Sequence, residues 1–109
     1  MSLRLYILQR LTAALMLPLI VAHIATIVYA TRHGLSAADI LSRTRGSITW
    51  ASFYGAFVML AAAHGAIGLR VVVSEWTGLR GLALEVFMIA AGLLLAALGA
   101  RAVYAVTAA

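Results

Sequence analysis

His64 stands in the run His64-Gly65-Ala66-Ile67-Gly68-Leu69-Arg70-Val71-Val72-Val73-Ser74-Glu75-Trp76, deep in one apolar stretch, and His23 stands in another. An ionisable side chain at bilayer depth is costly, so each marks a candidate functional site. Two imidazoles in so small and apolar a chain point to haem ligation, for which neutral imidazole is a common axial ligand. The plain alternative for each is a packed histidine hydrogen-bonded to a neighbouring helix. His33 lies in a polar segment and is expected to be solvated.

At 100° per residue His64, Gly68, Val71 and Glu75 share a helical stripe, with Gly68 one turn from the imidazole, where it leaves space for a porphyrin edge. Ala61 extends the same track of small residues. Arg10 lies one to two turns inside the first apolar stretch, where a cation needs an anionic partner, a polar ligand or a path back to the headgroups. Glu75 and Trp76 close the second stretch on the face where Arg10 opens the first. Together with Tyr6 they supply what a quinone site uses: donors for the carbonyls and a carboxylate for protons. Trp76 is equally suited to be an interfacial aromatic anchor.

The elements that must position these groups are helices. The chain has 109 residues, of which 65% are hydrophobic, and a mean hydropathy of +1.08, far above a soluble domain. Three apolar segments, roughly residues 5–31, 48–76 and 82–107, each exceed the ~20 residues that cross a bilayer. We therefore expect an all-α, three-span membrane bundle forming a single domain, 1–109. Pro18 should bend the first helix. Between the first two spans, Ser36-Ala37-Ala38-Asp39 reads as a capping box opening a short interfacial helix through about Arg43. The second connection, Thr77-Gly78-Leu79-Arg80-Gly81, is a tight turn that makes its flanking helices antiparallel neighbours.

With the first helix entering near Leu5 and the second leaving near Trp76 at one face, His23 lies about 27 Å deep and His64 about 18 Å. Two axial ligands of one haem standing along the bilayer normal should be nearly level, so the offset of roughly 9 Å assigns the histidines to different irons.

The net charge is +5 and every one of the 8 basic residues is Arg. These arginines flank or interrupt apolar segments and form no basic face, which argues against nucleic acid and for lipid headgroups, haem propionates or an acidic partner surface. They divide four against four between the two membrane sides, so charge alone leaves the orientation open. With no cysteine, the chain holds no thiolate or iron–sulfur site. Its first apolar region, though preceded by arginines, exceeds the ~7–15 residues of a signal-peptide core, so a retained span is expected.

These motifs resemble the membrane-anchor cytochrome b subunits of succinate dehydrogenase and fumarate reductase. The run from His64 through Gly68 to Glu75-Trp76 is similar to their second-helix pattern of haem-ligating His, small residue, apolar pair, Gly and then Asp-Tyr. Gln9-Arg10-Leu11-Thr12-Ala13 resembles their first-helix start. The three-helix plan covers essentially the whole chain. The resemblance implies His64 as an axial ligand of haem b, Arg10 at the quinone or propionate end with Arg70 among the haem-side residues, and ubiquinone or menaquinone as substrate. It also implies flavoprotein and iron–sulfur partners that perform the dicarboxylate chemistry, a location in the inner (plasma) membrane, and a cytoplasmic N-terminus. Trp76 replaces the usual Tyr, and Tyr6 replaces a serine often found one turn before the Arg, while Glu75 preserves the carboxylate.

His23 is similar to the first-helix ligand of two-haem anchors in the same superfamily. Since this chain has half of that ligand set, we expect a second anchor, identical or a sister, to complete one or two shared haems. Two other classes compete. One is a haem-free assembly subunit in which the histidines only pack. The other is a small oligomeric transporter, against which the first helix offers no carboxylate.

Overall fold

The computed structural model describes residues 2–108. Four helices account for nearly all of it: α1 (Leu3–Arg32), α2 (Ala37–Thr44), α3 (Ile48–Thr77) and α4 (Gly81–Thr107). The three long ones are apolar enough, and long enough, to cross a membrane, in agreement with the three spans expected from the sequence. Each exceeds its expected limits by at most two residues, because the boundaries are set by caps rather than by hydrophobicity. Ser2 and Ser47 accept from Leu5 N and Trp50 N at the starts of α1 and α3, and Gly78 ends α3 in the left-handed conformation, φ 74°. Pro18 is accommodated inside a continuous α1.

α2 has the capping box that its sequence announces. Asp39 N donates to Ser36 Oγ at 3.1 Å and Ser36 N to Asp39 Oδ2 at 2.9 Å. Hydrogen bonding to Ser36, that from its backbone N–H foremost and then that of its side chain, holds the Asp39 carboxyl below its ordinary value of 3.8. At its other end α2 is lashed to the end of α4: Thr44 Oγ1 donates to Val106 O at 2.6 Å and Gly46 N to Thr107 O at 2.7 Å. The first connection and the end of α4 therefore lie on the same side of the bundle.

α3 is the central element, packed against α1 on one flank and α4 on the other. The α3–α4 seam is close because glycines carry it. A Cβ on Gly92 would sit 3.2 Å from Ala66 Cβ, and one on Gly99 would run into both γ-methyls of Val58. Only Ala62, Ala66, Ile67 and Leu84 form a buried apolar core among the described residues, whereas Leu, Ile and Val side chains are exposed along every span. Such a surface suits a chain whose surroundings are lipid and other membrane subunits.

Candidate functional site

Thr12 brings the α1–α3 interface to the imidazole. It is 5% exposed, its Oγ1 lies 2.8 Å from Leu8 O and 3.1 Å from Gln9 O of its own helix, and 3.2 Å from His64 Nδ1. The other imidazole nitrogen, Nε2, meets no partner among the described residues. It is not one of the buried unpartnered atoms either, and so reaches the surface of the chain. One turn along, Gln9 occupies the space opened by Gly68, with its amide Nε2 3.6 Å from where a Cβ on that glycine would lie. Gln9 Oε1 is buried there without a partner. Gln9 and Thr12 lay within the first-helix run Gln9-Arg10-Leu11-Thr12-Ala13 but were given no role from the sequence, and the available signal was their i, i+3 spacing beside Arg10.

His23 occupies a second location, towards α2. Its ring meets Tyr54 and Phe57 of α3 edge-on, with centroids 5.8 Å away in each case, and its Nδ1 is buried without a partner. Two adjoining cavities of about 400 and 420 Å³ share His23, Ile40, Thr44 and Tyr54, and the first also reaches Trp50 and Arg43. Because His64 is level with Thr12, while His23 follows Thr12 by eleven residues and sits beside Tyr54 and Phe57, the two imidazoles differ in height by roughly 10–16 Å. The structure thus keeps them apart, by more than the sequence alone suggested. Among the described residues no three of His, Cys, Asp and Glu cluster as an ion held by side chains alone would require. His33, as expected, is exposed, and it stacks on Tyr29.

The arginines have separate fates. Arg10 is exposed and its guanidinium lies 5.9 Å above the Tyr6 ring, a cation–π contact that joins two of the expected quinone-site residues. Glu75 and Trp76 are also exposed, at the last turn of α3. From the register set by Thr12–His64, Arg10 lies level with about residue 66 of α3, roughly 13 Å deeper than Glu75. The structure places all four at the same end of the bundle, but no hydrogen bond links Arg10 and Tyr6 to Glu75 and Trp76 among the described residues. Arg70 instead faces α4, where its Nε and Nη2 both bond Glu85 Oε1, at 3.0 and 2.6 Å. Glu85 was not singled out in the sequence. The signal was present, since an arginine inside an apolar run calls for an acid at matching depth across the turn.

The arrangement offers one imidazole with one nitrogen held by Thr12 and the other open at the chain's surface, where a group from outside the chain can reach it. Residues 2–105 match the family described as succinate dehydrogenase/fumarate reductase transmembrane subunit. No curated protein and no solved structure matches the chain.

Proposed function

The chain belongs to the succinate dehydrogenase/fumarate reductase transmembrane subunit family, and from that premise we propose that it is a haem b-binding anchor passing electrons between its complex's iron–sulfur and flavin subunits and a membrane quinone. Membership implies association with the other subunits of such a complex. The observation that carries the reading is His64: a mid-span imidazole with Nδ1 held by buried Thr12 and Nε2 at the chain's surface, unpartnered among the described residues. An open polar nitrogen at that depth needs a ligand or a partner to cover it.

When bound, haem b supplies a one-electron relay. His64 would hold it from this chain, and a second anchor, identical or a sister, would contribute the ligand that this chain lacks. Gln9, one turn from Thr12, and Arg10, set over Tyr6, would offer donors to haem propionates. Arg70 adds Nη1, which Glu85 leaves without a partner. At the quinone end, Arg10, Tyr6 and Trp76 would orient ubiquinone or menaquinone, and Glu75, exposed at the end of α3, would move protons between water and the reduced ring. His23, whose side chain lines two cavities, is the candidate ligand for a second shared haem. The inner membrane is the compartment that fits, with the N-terminus cytoplasmic.

Purification with the partner subunits tests this directly. The wild-type complex should show reducible Soret and α bands, and His64→Ala should remove at least one haem. Unchanged bands in that variant would leave His64 as a packing residue satisfied by Thr12. Haem per complex after His23→Ala then separates two shared haems, one of them lost, from a single haem that is retained.

A further inference from the structure

We propose that Thr12 is the positioning residue for His64, its hydroxyl fixing the imidazole as the Nδ1–H tautomer so that the Nε2 lone pair is the one presented for ligation. This role rests on the haem assignment above and adds to it a control on how strongly His64 binds and at what potential the iron works.

The geometry leaves one consistent arrangement of protons. Thr12 Oγ1 has a single hydrogen and three polar neighbours: Leu8 O at 2.8 Å, Gln9 O at 3.1 Å and His64 Nδ1 at 3.2 Å. Both carbonyl oxygens are acceptors only. The hydroxyl therefore donates to its own helix, and its oxygen accepts from Nδ1–H, which satisfies two bonds at once. The opposite tautomer would need the hydroxyl to donate to a bare Nδ1. Its oxygen would then face Leu8 O at 2.8 Å with no hydrogen between them, and Nε2 would carry the proton and be unable to ligate. Burial sharpens the choice, since Thr12 is 5% exposed and its hydroxyl is largely screened from solvent. The hydroxyl is itself held by the bond to its helix, a restriction usual for threonine in helices. Gln9 packed at Gly68 closes the interface one turn away.

An imidazole that donates from Nδ1 to a fixed acceptor is a more basic ligand at Nε2. That favours ferric over ferrous iron, so Thr12 should lower the haem potential and tighten haem binding. Thr12→Val keeps the branched shape and removes the acceptor, and Thr12→Ser keeps the hydroxyl. In the purified complex, Thr12→Val should raise the midpoint potential and weaken haem retention by about 10–100-fold, while Thr12→Ser stays close to wild type in both. Thr12→Ala serves as the second test of the missing hydroxyl if the valine complex does not assemble. Wild-type potential and haem affinity in a hydroxyl-less variant would overturn the proposal, even where His64→Ala still abolishes the bands. Retained bands in His64→Ala would instead remove the haem assignment on which it rests.

Discussion

Replacing Glu85 by leucine removes the carboxylate that holds Arg70 and leaves a guanidinium stranded between α3 and α4. The Arg70 side chain is 17% exposed and that of Glu85 is 42% exposed, so the pair is neither fully buried nor a surface pair. Breaking a buried pair costs about 3–5 kcal/mol and losing an exposed one at most about 1 kcal/mol. With the more enclosed partner left unpaired, we expect a loss of about 2 kcal/mol, roughly 30-fold in the unfolding equilibrium. The converse change, Arg70→Leu, leaves the more open partner, whose carboxylate reaches water more readily, and should cost about half as much. The double variant should be more stable than Glu85→Leu alone, since no uncompensated charge remains. Reversible unfolding of the protein in mixed micelles of a denaturing and a mild detergent measures all three. Glu85→Leu with wild-type stability, or Arg70→Leu as the more damaging change, would refute the reasoning, because the asymmetry follows directly from the difference in enclosure.

Two further perturbations probe the scaffold. Gly99→Leu should destabilise the same micellar protein by about 1–3 kcal/mol, because any Cβ at that position meets Val58 across the α3–α4 seam, its Cγ2 at 2.9 Å; an additional Val58→Ala change should restore part of the loss. The capping box should respond to pH. The Asp39 carboxyl is held below 3.8 in the folded chain, first by its bond from the Ser36 backbone. Its contribution to α2 is therefore present above the unfolded value and is lost as pH falls through the lower, folded one. The protection factors of the α2 amides, measured against the unfolded-chain exchange rate at each pH, should fall over that acidic range, and Asp39→Asn should abolish this part of the pH dependence.

How much could be read without coordinates differs sharply between elements. The three spans were legible because apolar runs of more than twenty residues have one stable arrangement in a bilayer, and their ends carried readable caps and turns. α2 was legible for a different reason: Ser36 and Asp39 satisfy each other's backbone amides within four residues, so no distant contact is needed to form the start of the helix. His64 and His23 stood out by the cost of their depth. Thr12 did not, since a threonine in an apolar helix is unremarkable until its neighbour 52 residues away is known. Nor did Glu85, whose significance depends on which face of α3 carries Arg70 to α4.

Which residues cross the membrane, and roughly at what depth, was therefore decided by the sequence, because both follow from side-chain hydrophobicity and the fixed rise of a helix. Which face of each helix meets which neighbour was decided only by the tertiary structure. Helices that are hydrophobic all round carry no polar stripe to betray the side that packs. The pairing of Thr12 with His64, Gln9 with Gly68, His23 with Tyr54 and Phe57, and Arg70 with Glu85 arises instead from close fit between small residues and from polar groups seeking partners in a medium that offers none.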